Sequence, residues 1–331
     1  MKMTSFLRYA VSFAMVMVAS GLFASSNAQS KTLTRDLGSH KAHLFPKKSQ
    51  NTTQTKLAED KGPLVYTAGG SVMTGPVKIY SIFWVPPTLQ DGSAAQMLTA
   101  YQKLQNRLII DYPGHGLANN NTQHYQVKNN VKTYISSQGS FGGSYIHTAP
   151  YPLSTCQNSI TPANCMTDAD LQAEIQDVMA LKGWTGGLNT LFMVYIAKGE
   201  DICFDSSASS DCAMATFCGY HSYIATTKPV IYAMMPYGDP IGCGGLKTPN
   251  NSPAAEAAMD TASHEISEAI TDPLLNAWMT AQGNENADLC ITSYLPNSWK
   301  NGQANQMWNG HFYELQQVYN NHIQACANIG P

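Results

Sequence analysis

Charge is scarce in this chain of 331 residues: Asp, Glu, Lys and Arg make up 12% of it, and the formal net charge is −3. Without a basic excess there is no electrostatic case for a nucleic-acid partner. No glycine-rich phosphate loop sits between a strand and a helix, and no GxSxG elbow occurs, so the usual nucleotide-binding and serine-hydrolase signatures are missing. There is no CxxC pair, which argues against a cysteine-rich zinc module. No tandem repeat is visible, which excludes a solenoid. Beyond the N-terminus no uninterrupted apolar run is long enough to span a bilayer.

What is present begins with an export signal. Lys2 and Arg8 precede the apolar run "YAVSFAMVMVASGLF", and small residues follow in "ASSNAQS". This pattern predicts a signal peptide over residues 1–28, cut after Ala28. The expectation is a secreted, extracellular or periplasmic protein with no membrane contact after cleavage. Cleavage removes two basic and no acidic residues, which takes the net charge from −3 to −5. All eight cysteines lie beyond the signal, and an even count in an exported chain reads as disulfides. Cys156–Cys165 and Cys203–Cys212 would staple short loops, and Cys218–Cys243 and Cys290–Cys326 larger ones. Many other pairings are open to eight cysteines.

Residues 29–62 are polar, with seven basic and three acidic side chains. Such a composition buries little apolar area and predicts a disordered linker, or a basic pro-segment covering an acidic cleft. Order is expected from residue 63. "VKIYSIFWV" and "NTLFMVYIA" read as buried strands, and "HSYI" and "PVIYAMMPY" as two more, neighbours in antiparallel. "AAQMLTAYQKLQNRLIIDY" and "TDADLQAEIQDVMALKGW" have helical apolar spacing, while residues 136–165 read as loop. Ser252, Pro253 and Pro273 frame a third helix. Strands mixed with helices predict a single α+β domain with a mixed sheet, stapled by disulfides.

That third helix carries "SHEISEAITDP", one residue away from the HExxH of zinc proteases. Positions i and i+4 share a helix face, so His264 and Glu268 can point at one ion. Glu265, turned by about 100°, would stand beside the ion as general base and take the proton of the attacking water. A catalytic zinc takes three protein ligands, so another must come from elsewhere. "GNENADLC" offers Glu285, assigned to the metal, and Asp288, assigned to hold His264, with the reverse assignment open. His221 in "FCGYHSY" is a further candidate, as ligand or as a group touching substrate. Zn²⁺ fits an imidazole, and the oxygen-rich set leaves Mn²⁺ or Ca²⁺ as alternatives. Tyr313, with His311 beside it, is a candidate oxyanion donor.

A plain reading stands beside each of these. Glutamates on a helix are ordinary surface residues, and Tyr313 and His311 read equally as core or rim aromatics. His40, His43, His115, His124 and His147 have no motif context. The helix is otherwise small and apolar, however, through Ala258, Met259, Ala262, Ile266 and Ala269. Carboxylates clustered in such surroundings need a cation.

Five segments in one register go further: "GGSVMTGPVKIYSIFW", "FCGYHSY", "SHEISEAITDPLLNAW", "ENADLC" and "NGHFY". They resemble the EXORDIUM, or phosphate-induced protein, family of secreted proteins over roughly residues 65–327. The resemblance implies a zincin-type metallohydrolase signature on His264, Glu265 and Glu268, with Glu285 and Asp288 after the helix and His221 facing the same cleft. "ENADLC" stands where "EIGDLC" is common, and both acidic positions survive. It also implies that members without the His-Glu pair act in cell-wall growth and signalling.

Two functions follow as expectations. One is a secreted metal-dependent hydrolase, a zinc peptidase acting on a peptide or protein. The other is a non-catalytic envelope or matrix protein, associated with the cell wall, in which the cluster or its ion is structural. A carbohydrate-acting enzyme with paired carboxylates is a third.

Overall fold

The computed structural model describes residues 33–48, 60–157, 160–161, 163–208, 210–245 and 247–330. The expected signal peptide lies outside them. The described residues belong to one compact unit, Thr32–Pro331.

The centre of that unit is a mixed sheet. Its strands are β1 (Thr34–Asp36), β2 (Lys41–Pro46), β3 (Val77–Trp84), β4 (Gly139–His147), β5 (Thr190–Ile196), β6 (Phe217–Ile224) and β7 (Val230–Met235). Their spatial order is β1-β2-β6-β7-β5-β3-β4. The four strands from β7 to β4 run parallel, and β6, β2 and β1 continue the sheet in antiparallel. Residues of β5 alternate between two cores: Leu191, Met193 and Tyr195 face one layer of helices, Phe192, Val194 and Ile196 the other. Both faces are therefore covered, as the unbroken apolar runs of β3, β5 and β7 require.

Four α-helices flank the sheet: α1 (Thr99–Asp111), α2 (Gly116–Asn121), α3 (Asp168–Lys182) and α4 (Pro253–Thr271). Leu171, Ile175 and Val178 of α3 pack on one face; α1 and α4 pack on the other. α3 begins with a capping box in which Thr167 and Asp170 bond reciprocally, and it ends at the left-handed Gly183, as its sequence dictates. α4 is buried from Ala255 to Thr271. Its alanines allow close approach to the sheet, and Gly219 of β6 completes the fit. A Cβ at Gly219 would stand 2.7 Å from the Thr261 methyl.

Two expectations are corrected. The segment 29–62 is not a disordered tether where it is described: Thr34–Asp36 and Lys41–Pro46 are strands, and Ala42 to Pro46 are buried. Residues 49–59 lie outside the described residues. Within the stretch read as loop, Gly139–His147 is a nine-residue strand at the sheet edge. The mixed sheet stands, in a mixed α/β fold with helices interspersed among its strands. Cysteines 156 and 165, 203 and 212, 218 and 243, and 290 and 326 form disulfides. Four such bridges fit an extracellular protein. Among the described residues no helix is long and apolar enough to cross a membrane.

Candidate metal centre

α4 lays His264, Glu265 and Glu268 toward the sheet, and three other elements meet them there. β2 brings His43, β6 brings His221, and the loop after α4 brings Glu285 and Asp288. All seven side chains are 0% exposed. His43 and His221 are direct cross-strand partners, with ring centroids 5.8 Å apart. The loop is fixed by its own hydrogen bonds: Asp288 accepts from the Glu285 backbone N–H at 2.7 Å, and the Asp288 N–H donates to Glu268 Oε1 at 3.2 Å. Asp288 opens a short 3₁₀ turn ending at Cys290, whose disulfide to Cys326 anchors the turn.

The spacing argument for the helix holds: His264 Nε2 is 3.1 Å from Glu268 Oε2. His264 Nε2 is also 3.7 Å from Asp288 Oδ1. Glu265 faces His221, with Oε2 at 3.2 Å from Nδ1, and the same nitrogen is 3.8 Å from Glu268 Oε2. Glu285 Oε1 lies 3.7 Å from His221 Nε2 and 3.6 Å from His43 Nδ1. His264, Glu265, Glu268, Glu285, Asp288 and His221 are thus all brought together.

Two sequence assignments change. Asp288 is the tight partner of His43, not of His264: His43 Nε2 donates to Asp288 Oδ2 at 2.7 Å. Tyr313 is committed elsewhere. Its hydroxyl donates to Asp111 Oδ2 at 2.6 Å and accepts from Arg107 Nε at 3.1 Å. Neither partner belongs to the cluster, and His311 also donates to Asp111. Sequence reasoning missed His43. Its signal was the apolar island Ala42, Leu44 and Phe45 around it. Phe45 stacks on the His264 ring at 4.2 Å between centroids.

Burial dominates the electrostatics. It pushes the Glu265, Glu268 and Glu285 carboxyls above their ordinary range, and the neighbouring carboxylates push them further. Burial, then the two nearby imidazoles, holds His221 well below its usual value. At His43 burial opposes the charged ring, but the Asp288 carboxylate together with Glu268 and Glu265 outweighs it, for a value of about 9. Asp260, on the same helix, makes the useful contrast. It accepts from the Tyr294 hydroxyl and the Gln316 N–H at 2.7 Å each, so its buried charge is met by donors. Of the cluster's carboxylate oxygens, donors meet only Asp288 Oδ2, Glu268 Oε1 and, through His221, Glu265 Oε2. His221 Nε2, both nitrogens of His264, Glu265 Oε1, Glu268 Oε2, both oxygens of Glu285 and Asp288 Oδ1 are buried without a hydrogen-bond partner.

Buried polar atoms are almost always paired, and unpaired carboxylates are among the most costly. Imidazole nitrogens and carboxylate oxygens are the donors that divalent transition ions take. His43, Glu268 and Asp288 form one group whose donor atoms lie within 4.8 Å of one another, and His221, Glu265 and Glu268 form a second. The donor chemistry and the orphaned atoms both fit a divalent cation. The cysteine groups do not, since their sulfurs are spent in disulfides.

A cavity of about 250 Å³ reaches α4 at Ala258 and Thr261, and none of the seven cluster side chains lines it. Phe217, Met235, Tyr237 and Thr261 line it, with Lys198 and Glu200. It sits where the parallel strands β5 and β7 end, and Thr261 precedes His264 by one helical turn.

The chain matches no protein-family model, no curated protein and no solved structure. The likeness to the EXORDIUM family rests on the five quoted segments alone.

Proposed function

We propose that this is an exported metalloprotein whose His–carboxylate centre binds a divalent cation that braces the fold. The observation that carries the reading is the set of unpartnered imidazole and carboxylate atoms, converging from one helix, one strand and one loop at zero exposure. His264, Glu268 and Asp288 would hold the ion. His43 would orient Asp288, as a group behind a ligand does. Zn²⁺ and Mn²⁺ suit the mixed nitrogen and oxygen set better than Ca²⁺. Four disulfides and the EXORDIUM-like segments support export and a place at the cell wall or matrix. Elemental analysis of the purified secreted protein tests the reading, with His264→Ala as control. A bound transition metal that the control loses is expected. Metal-free protein with full stability overturns it.

A second reading is the metal-dependent hydrolase of a peptide or protein substrate. The cavity beside Thr261 favours it, because it offers a substrate space one helical turn from His264. A bound cation would supply the Lewis acid. Glu265 would hold the proton of the attacking water, and His221 at 3.2 Å would hold Glu265 in place. Glu265→Gln should then keep the fold and the metal and lose turnover. A wild-type protein that cleaves no peptide in a mixed substrate library sinks this reading and leaves the bracing role.

A further inference from the structure

The centre encloses seven His, Glu and Asp side chains, more than the four ligands of a tetrahedral site. Its donors divide into two sets, and Glu268 belongs to both. In the first, His264 Nε2 stands 3.1 Å from Glu268 Oε2 and 3.7 Å from Asp288 Oδ1, and all three atoms lack a hydrogen bond. In the second, His221 Nδ1 stands 3.2 Å from Glu265 Oε2 and 3.8 Å from Glu268 Oε2. Each set thus has one imidazole, one carboxylate of its own and the shared Glu268.

The geometry of His221 separates the sets from Glu285. The two nitrogens of an imidazole point in divergent directions, so they cannot serve the same ion. Nδ1 looks toward Glu265 and Glu268, while Nε2 looks toward Glu285 at 3.7 Å. Glu285 therefore lies on the other side of the His221 ring from Glu265 and Glu268, and outside hydrogen-bond reach of it.

We infer that the centre is dinuclear: two divalent cations lie side by side, one on His264 and Asp288, the other on His221 and Glu265, with the Glu268 carboxylate shared between them. This rests on the metal-binding reading above and extends it. Ions paired in this way sit about 3.5–4 Å apart, close enough for their unpaired electrons to couple.

The test loads the full-length secreted protein with Mn²⁺, removes free metal, and measures manganese per chain together with the EPR spectrum. Two ions per chain with an exchange-coupled spectrum are expected. His221→Ala should then keep one ion, with the ordinary six-line signal of isolated Mn²⁺. One ion per chain in the wild type overturns the inference while leaving the metal-binding reading intact. Two ions without coupling overturn the sharing through Glu268. No ion at all overturns the metal-binding reading itself. If His221→Ala does not fold, the wild-type stoichiometry and spectrum decide.

Discussion

His43 and Asp288 are 245 positions apart in the chain and 2.7 Å apart in space. The bond runs from the second strand of the sheet to the loop beyond α4, and both side chains are wholly enclosed. His43 makes its other contact with the Thr34 hydroxyl at 2.9 Å. The N-terminal segment is therefore part of the centre and not a cover over it.

Removing that contact should loosen the ion without removing a ligand from it. His43→Ala is expected to lower metal affinity by about 10- to 100-fold, the usual cost of losing a group behind a ligand. Competition against a chromogenic chelator reads it. Unchanged affinity would mean that Asp288 needs no orienting partner.

Chelation should destabilise the protein. An ion present at about a thousand times its dissociation constant adds about 4 kcal/mol to folding. At about 2 °C per kcal/mol for a chain of this size, stripping the metal should lower the melting temperature by about 8 °C. Differential scanning calorimetry with and without a chelator, and with zinc or manganese restored, checks this.

The Cys290–Cys326 bridge closes a loop of 36 residues, worth about 4 kcal/mol by loop entropy. It also anchors the turn that begins at Asp288. Replacing both cysteines by serine should therefore cost stability and weaken metal binding together. The Cys156–Cys165 pair is in another part of the fold, and its replacement should cost stability alone. Urea melts and metal titrations of the two double variants distinguish them.

Glu200 provides a pH handle away from the centre. Burial raises its carboxyl to about 8, and the single hydrogen bond from Gln90 at 2.8 Å lowers it only in part. In the unfolded chain it titrates near the ordinary value of 4.5. Between these values the folded form holds a proton that the unfolded form has lost, so stability falls as pH rises, by about 1.4 kcal/mol per pH unit. The contribution is whole below pH 4.5 and is lost by about pH 8. Glu200→Gln should flatten that slope and be more stable than wild type at pH 8 in chemical denaturation.

Strongly apolar segments were legible before any coordinates: β3, β5 and β7, the framed helix α4, and the capped start of α3. Proximity along the chain also suggested the disulfide pairing found here. The strand Gly139–His147 was not legible. It lies at the sheet edge with alternate residues exposed, and its glycines and serines carry no apolar signal. β2 was hidden by averaging, because a basic, polar stretch surrounds a six-residue strand with five buried residues. The closeness of His264 and Glu268 followed from a local rule, the i and i+4 spacing. The partner of Asp288 did not, since only strand register brings His43 there. Tyr313 failed for a related reason: a tyrosine near an apolar run says nothing about which carboxylate its hydroxyl will find.

The pairing of an early strand with a late loop has a consequence in time. A chain that crosses a membrane as an unfolded thread delivers His43 first, then waits for more than two hundred residues before Glu285 and Asp288 emerge. Until then the centre is incomplete. Such a protein would leave the cell empty-handed and take its cations from the medium outside, so that external metal supply, not the cytoplasmic pool, would govern how much of it matures.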